Sequence, residues 1–530
     1  MNNYYLLSLI PLLIYGILKT KKSFHMLQQN WYNEGNRYLK WIIKNPYKVF
    51  IEYDMIFVVF IVFLFMNSVV SYIVVSILYL IFAYLYYKKM KKEQSKKPLV
   101  FTARVKRLSV TTFLLYLIPI LSIYFFFDEV HIAYYYLLIG LLVYLNYFVV
   151  MTSSFLNIPV EQNVYRHYRN KAIRKLKRMN NLKVIGITGS YGKTSSKNIL
   201  NDILNVKYTA LASPKNFNTP YGLIITVNNY LDKFDDILIA EMGAFKKGEI
   251  KQLCDLVKPS YGILTKVGTA HLESFGSQEN IQKGKFELIE SLPSDGIGIL
   301  NADDELQVSY KLKNDCKIVW IGIDNKDADV HASNIKLSHT GTTFDVKFKG
   351  DSKKYTFETK LLGKANIYNI LAGIALGKEL GIEIEKLIVG VKKVNSIEHR
   401  LELKKYMDIN IIDDAYNSNP IGSKMALEVL GMMPGKKIIV TPGMIELADK
   451  EFELNMEFGK NIADVCDEVI LVGETKTKAI YEGLINKGYD KKHIHVINDV
   501  KIAFNLMQEL KDKETYVLLE NDLPDIFNEE

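Results

Sequence analysis

Thr188-Gly189-Ser190-Tyr191-Gly192-Lys193-Thr194 sets two glycines, a lysine and a hydroxyl where an apolar, β-rich run gives way to helix-forming residues. That order suits a phosphate group. Glycines let backbone N–H groups close around an anion at a helix N-terminus, Lys193 brings charge to the outer phosphates, and Thr194 offers a hydroxyl to Mg²⁺. The spacing departs from the strict P-loop, because Ile187 stands where the first glycine belongs. Glu241 follows a second β-rich run, 237–240, which puts a carboxylate at the C-terminal edge of a sheet, where ligands gather in open α/β folds. Alone, it also reads as a surface glutamate capping a turn. His271 comes after a third run, 262–265, where a neutral imidazole suits a second metal or simply a hydrogen-bonded loop.

These groups need strands and helices to carry them. Strand candidates lie at 183–188, 237–240, 262–265, 296–300, 409–413, 437–440, 468–472 and 516–519, with a helix-like stretch at 193–204 after the first. Strand–helix alternation predicts right-handed βαβ crossovers and mainly parallel sheets, an α/β architecture. No short-period repeat interrupts it.

The glycine-rich segment resembles the ATP loop of the Mur ligases, ATP-dependent amide ligases that extend the peptidoglycan stem peptide. Later segments agree in order: Asn216-Phe217-Asn218 with Gly222, Glu241-Met242-Gly243-Ala244, Ala270-His271-Leu272-Glu273, Lys285, Leu300-Asn301-Ala302-Asp303-Asp304, Arg400-Leu401-Glu402 and Asp413-Asp414-Ala415-Tyr416-Asn417-Ser418-Asn419-Pro420. The branch that adds D-alanyl-D-alanine is the most similar. The resemblance runs from about Leu182 to Val472. It implies a central ATP-binding domain over 182–398 and a smaller Rossmann-like domain over 399–530.

By that resemblance Gly189, Ser190, Tyr191, Gly192, Lys193, Thr194 and Ser195 hold ATP, while Thr194, Glu241 and His271 ligate two Mg²⁺ ions. Lys285 matches a lysine that several members carbamylate with CO₂, which makes an anionic metal ligand; an ordinary solvated helix lysine is the plain alternative. Asn366 and Asn369 are implied near the adenine, although the same segment reads as a helix start with Asn caps. Arg400 and Asp414 are implied to close over the phosphates and ribose, and Asn216, Asn218, Asn417 and Asn419 to line the substrates. Lys193, His271, Lys285 and Arg400 form the implied catalytic set. Four departures stand out: Ala365 where the family has histidine, His399 in place of a glycine, Pro442-Gly443-Met444 where the branch has Gly-Asp-Met, and Leu519-Glu520-Asn521-Asp522 where it has Lys-Gly-Ser. The last two fall where specificity for the amine is decided.

The first 151 residues differ in kind. Runs 4–18, 55–87, 111–127 and 132–151 carry no Lys, Arg, Asp or Glu. The second would measure ~50 Å as one helix, too long for a ~30 Å hydrocarbon core, so a fold at Asn67-Ser68 gives five expected spans. Basic residues concentrate in alternate connections, among them Lys19, Lys21, Lys22, Arg37, Lys40, Lys44 and Lys48, then Lys88 to Arg107. That bias predicts a multi-pass cell-membrane protein with its N-terminus outside and its catalytic half cytoplasmic. A basic stretch over 152–181, with Arg166, Arg169, Lys171, Arg174, Lys175, Lys177 and Arg178, reads as a linker helix facing anionic lipid rather than nucleic acid.

Lys plus Arg at 67 against Asp plus Glu at 58, with 49% hydrophobic residues, excludes global disorder, and three cysteines without a CxxC pair exclude a disulfide framework. The expected activity is an ATP-dependent ligation through an acyl phosphate, adding D-alanyl-D-alanine or a similar amine to a cell-wall precursor, UDP-linked or lipid-linked, at the membrane face. A membrane-bound ligase for another polymer, such as poly-γ-glutamate, and an inactive nucleotide-binding scaffold are the competing readings. A transporter fits the spans but finds no charged residue inside them.

Overall fold

The computed structural model describes residues 9–56, 69–92, 98–126, 132–268, 272–338, 341–415, 418–445, 447 and 450–521. They divide into two compact units, the first ending at His167 and the second beginning at Tyr168.

The first unit is helical: α1 (Ile10–Gln29), α2 (Arg37–Lys44), α3 (Val69–Lys92), α4 (Ala103–Phe126), α5 (Ile132–Tyr144), α6 (Asn146–Leu156) and the start of α7 (Ile158–Arg178). Five spans are not what the described residues show. One helix, α3, is long and apolar enough to cross a membrane, and a second span arises only if Leu137–Tyr144 and Asn146–Leu156, bent by 78°, are counted as one. The expected span over 132–151 is therefore broken at Leu145. The expected first span begins outside the described residues; from Ile10 it lies in α1, which runs on through Lys19, Lys21 and Lys22, so those lysines belong to a helix and not to a loop. The fold at Asn67-Ser68 lies outside the described residues.

Lys19 explains why α1 continues. Its amine is fully buried and pairs with Asp54 at 2.9 Å and Glu52 at 3.2 Å, while the Tyr15 hydroxyl donates to Asp54 at 3.1 Å. A buried cation is tolerated only with such partners. Asn146, at the start of α6, donates to the Thr20 hydroxyl at 2.6 Å and to the Tyr116 hydroxyl at 2.8 Å.

The second unit carries two sheets. The first has nine strands in the order β2-β3-β1-β4-β5-β6-β7-β8-β9. Its members are β1 (Lys183–Thr188), β2 (Ala210–Ala212), β3 (Ile237–Glu241), β4 (Tyr261–Leu264), β5 (Ile297–Asn301), β6 (Lys317–Gly322), β7 (Val330–Ser338), β8 (Gly341–Phe348) and β9 (Lys354–Thr359). The strands from β1 to β6 pair in parallel, as strand–helix alternation requires, whereas β7, β8 and β9 form an antiparallel extension. Helix α8 (Lys193–Leu204) follows β1, α9 (Gln278–Glu290) precedes β5, and α10 (Lys364–Glu379) follows β9. Ile199 and Ile203 of α8 join Ile367, Ile370 and Ile374 of α10 in one core under the sheet.

The second sheet runs β10-β11-β15-β12-β13-β14, where β10 (Glu402–Tyr406) is antiparallel to β11 (Ile409–Asp414) and the remaining pairs are parallel. Helix α11 (Pro420–Gly431) follows β11; β12 (Lys436–Thr441), α12 (Glu451–Ala463), β13 (Glu468–Val472), β14 (Ile494–Ile497) and β15 (Thr515–Glu520) complete it. Leu362, just before α10, is buried in this second core beside Leu427 and Leu430.

Candidate functional site

The loop from β1 to α8 is built by two glycines in conformations that side chains rarely adopt, Gly189 at φ +151° and Gly192 at φ +78°. At Gly189 there is a second reason, since an added Cβ would collide with the Thr265 hydroxyl. Thr265, just past β4, donates to the Tyr191 carbonyl at 2.6 Å and to the Thr188 carbonyl at 3.1 Å. The Ser190 N–H donates to the Lys266 carbonyl at 2.8 Å, and the Ser190 hydroxyl exchanges hydrogen bonds with Gly268 at 3.2 and 3.0 Å. The loop is thus braced along its length by residues 265–268. Thr265 enters the sequence reading only as the end of the strand candidate 262–265 and not as a site residue, although its place at a strand end was the available signal.

Lys193 Nζ curls back over this loop and donates to the Gly189 carbonyl at 2.8 Å and the Ser190 carbonyl at 3.2 Å. Burial pushes its pKa down to about 8, with Arg400's charge adding to the fall and Glu241 opposing it. A lysine held over a glycine-rich turn at a helix start is an arrangement suited to a phosphate group. The next residue, Thr194, donates its hydroxyl to Glu241 Oε1 at 3.2 Å, and Asn218 Nδ2 donates to the same oxygen at 3.1 Å. Lys197, one turn further along α8, lies 3.1 Å from Glu241 Oε2. A fully buried carboxylate touching a hydroxyl is the hard-oxygen donor set that Mg²⁺ takes, so the residues fit the ion.

Lys285 rises from α9 into the same region. Its amine is buried, donates to the Ala244 carbonyl at 3.3 Å in the turn after Glu241, and lies 5.3 Å from the centre of the Phe275 ring. Burial, helped by the charge of Lys193 and opposed by Glu249 and Glu287, lowers its pKa to about 7. It is therefore no solvated helix lysine. His271 and Asn417 lie outside the described residues, and among those described no group of three His, Cys, Asp or Glu side chains gathers as a metal site.

The asparagines separate. Asn216 is exposed, whereas Asn218 is pinned by the Gly243 N–H, which donates to its carbonyl at 2.8 Å. Asn369 is buried with its amide against Gly192, while Asn366 donates to the Leu362 carbonyl at 2.8 Å, within its own helix start. Asn419 caps α11 through a 3.0 Å bond from the Gly422 N–H. Tyr368, beside Asn369, donates to Asp303 at 2.9 Å; three backbone N–H groups, from Ile323, Asp324 and Asn325, also bind that carboxylate and hold its pKa below the ordinary value despite burial.

Arg400 is half-buried, and its charge acts on both Lys193 and Asp414. The residue before it, His399, takes φ +58°, a conformation natural to the glycine whose place it fills. Its Nδ1, 2.8 Å from Asp413 Oδ2, anchors the turn. Asp414 accepts from the Leu401 N–H at 3.2 Å, and burial raises its pKa to about 6.

Residues 187–377 match the family model "Mur ligase middle domain", and residues 399–519 match "Mur ligase, glutamate ligase domain". The UDP-N-acetylmuramoyl-tripeptide–D-alanyl-D-alanine ligase of Bacillus subtilis is 33% identical over 341 residues, which cover 63% of this chain and 72% of that protein.

The chain belongs to the Mur ligase family.

It is accordingly an ATP-dependent ligase. The same-named ligase of Escherichia coli is 30% identical over 295 residues, covering 55% of this chain and 65% of its own. Among solved structures, the MurF ligase of Thermotoga maritima in complex with ADP is 26% identical with a TM-score of 0.59, covering 67% of this chain and 80% of that one. A MurF structure from Acinetobacter baumannii, at 24% identity and a TM-score of 0.60 over 68% of this chain and 77% of that one, shares the fold.

Proposed function

We propose that this ligase joins the carboxylate of a peptidoglycan precursor to D-alanyl-D-alanine or a similar amine, through an acyl phosphate. The observation that carries the reading is the cradle of Gly189 to Lys193 meeting the Thr194–Glu241 pair. Joining a carboxylate to an amine needs the carboxylate phosphorylated by ATP, then attacked by a neutral amine with release of phosphate. The protein's task is to hold charge in place.

In this reading the loop amides and Lys193 bind the ATP phosphates, and Arg400, whose charge reaches Lys193, steadies the transferred group. Thr194 and Glu241 would hold Mg²⁺, which supplies positive charge beside the phosphates when bound. Asn218 keeps Glu241 oriented. With its pKa near 7, Lys285 presents a neutral amine at physiological pH, the form that adds CO₂, and the resulting carbamate together with His271 would serve a second ion. The relatives' names supply the amine and the precursor.

Membrane attachment belongs to the same proposal. Helix α3 supports it, as do the apolar side chains that α3 and α4 leave exposed, Val70, Ile73 and Ile77 together with Phe113 and Ile118. In the second unit, a cavity beside the N-terminal ends of β1 and β3 is lined by Lys171, Arg174, Lys175, Arg178 and Lys233 against Asp235 and Asp236, a net basic face suited to anionic lipid. We place the catalytic unit at the cytoplasmic face, where it meets a lipid-linked precursor.

Purified protein in detergent, given Mg-ATP and a matrix of acceptors and amines, tests this by phosphate release and product mass. Release that requires both a muramoyl tripeptide and D-alanyl-D-alanine supports the reading, and comparison of the UDP-linked with the lipid-linked form settles the acceptor. Turnover with glutamate alone would move the assignment to polymer synthesis.

A further inference from the structure

Lys171, Arg174, Lys175 and Arg178 follow one another at helical spacings of three and four, so they share one face of α7. That face walls a cavity of about 890 Å³, and the loop that leads into β3, with Lys233 and Phe234, forms the other side. Two bonds hold the walls together: Lys175 donates to the Leu231 carbonyl, and the Asn228 amide donates to the Tyr168 carbonyl at 3.0 Å. The two carboxylates of the cavity are engaged by backbone. Asp235 accepts from the Asp232 N–H at 2.7 Å, and Asp236 from the Thr209 N–H at 2.9 Å. Among the described residues no carboxylate pairs with Lys171, Arg174, Arg178 or Lys233. The dipole of α7 accounts for the cations of its last turn, Lys175, Lys177 and Arg178, but not for Lys171, nor for Lys233 on a different element. Like charges around one hollow repel until an anion enters it.

A second feature says which anion. Phe234, at the rim, is 74% exposed, and no large apolar side chain described in the second unit is more so. The Lys233 ammonium lies 4.7 Å from the centre of its ring. Tyr168 and Tyr230, on the two segments that Asn228 joins, are each 49% exposed. A soluble phosphate needs only the cations. Aromatic rings offered to solvent among cations suit a bilayer surface, where the rings enter the apolar layer and the cations meet headgroup phosphates. The cavity is also well separated from the glycine turn. Leu182, just before β1, lines the cavity, whereas Gly189, just after it, opens the turn, and the six residues between them span roughly 20 Å.

We propose that this cavity receives the phosphate of an anionic lipid while Phe234 enters the bilayer beside it, so that the catalytic unit rests on the membrane by the N-terminal strand ends of its first sheet. This rests on the membrane reading above and is independent of which amine and precursor are joined. It adds a direction to that reading. The glycine turn opens away from the bilayer, and the reacting carboxylate stands roughly 20 Å off the surface, at the far end of its carrier.

The test uses the full-length protein in vesicles of phosphatidylcholine, with and without phosphatidylglycerol. Cys254, Cys316 and Cys466 are buried, so a polarity-sensitive fluorophore attached through Phe234→Cys reports the rim of the cavity. With phosphatidylglycerol its emission should shift to the blue and brominated acyl chains should quench it at least twofold; with phosphatidylcholine alone neither should occur. Lys171→Gln, Arg174→Gln and Arg178→Gln together should abolish the shift, and the thermal midpoint should hold because these exposed side chains make no ion pair among the described residues. A shift equal in both lipids, or one that survives the triple variant, overturns the inference. So does inorganic pyrophosphate that binds the parent protein but not the triple variant when no lipid effect is seen, which would give the cavity to a free phosphate. A label left in solvent while the protein resists alkaline carbonate overturns this site and leaves attachment through α3 standing. A phosphatidylglycerol-dependent shift that carbonate abolishes supports the site and counts against α3, and protein bound to neither vesicle overturns both.

Discussion

Lys197 Nζ lies 3.1 Å from Glu241 Oε2, and both side chains are at most 2% exposed. The lysine neutralises a carboxylate that the fold must bury so that Thr194 and Asn218 can share its other oxygen. Breaking a buried pair by removing one partner costs about 3 to 5 kcal/mol. Lys197→Met should therefore lower the thermal midpoint by several degrees, and pairing it with Glu241→Gln should recover part of the loss. A midpoint unchanged in the single variant would show that the pair carries no weight.

Lys193 has a different role. Its amine bonds only carbonyls of its own loop, so little of the fold depends on it. Lys193→Ala should cut ATP-dependent phosphate release by about 10²- to 10³-fold, the usual cost of losing one preorganised charge, with the thermal midpoint within a degree or two. Retained ligation would refute the phosphate role.

The two loop glycines should differ in tolerance. At Gly192 an alanine meets only ordinary contact with Asn369 and pays the left-handed conformation, about 1 to 2 kcal/mol. At Gly189 the same methyl also strikes the Thr265 hydroxyl. Gly189→Ala should raise the KM for ATP more than Gly192→Ala does; the reverse order would contradict the bracing by Thr265.

The pKa of Lys285, lowered from 10.5 to about 7, has two consequences. Between those values the unfolded chain binds a proton that the folded chain does not, so this lysine makes stability rise with pH from about 7 to 10.5, and below 7 its burial penalty is in full force. Lys285→Met should remove that slope in pH-dependent melts. Separately, CO₂-depleted buffer should lower ligation, excess bicarbonate should restore it, and intact-mass analysis should show one added CO₂ that Lys285→Arg lacks.

Membrane attachment can be checked by alkaline carbonate extraction. The chain should stay in the pellet through α3. Extraction into the supernatant would leave only peripheral binding through the basic face of α7.

Strands β1, β3, β4 and β5 of the first sheet were legible because each is a short, continuous apolar run, whereas β2, of three residues, and β6, which opens on Lys317 and carries Trp320 half-exposed, went unread. The meander β7 to β9 was not legible either. Its residues alternate, with Phe344 and Val346 inward and Asp345 half-exposed between them, and so resemble the surface stretches around them. The turn between β1 and α8 was readable because its backbone requires glycine at Gly189 and Gly192. Lys197 and Thr265 escaped notice because each acts through a neighbour, so their own types carry no mark of the site. In the first unit, hydropathy registered the apolar runs but not the break at Leu145 or the burial of Lys19, since both depend on which helices meet.

Leu362 is buried in the core of the second sheet, and Asn369, a short way along the same chain segment, lies against Gly192 of the phosphate loop. Between them runs the start of α10, itself rooted in the core of the first sheet through Ile367. This short segment has one end in the core of each sheet of the second unit, so a displacement of the second sheet relative to the first would be felt at Gly192 through Asn369.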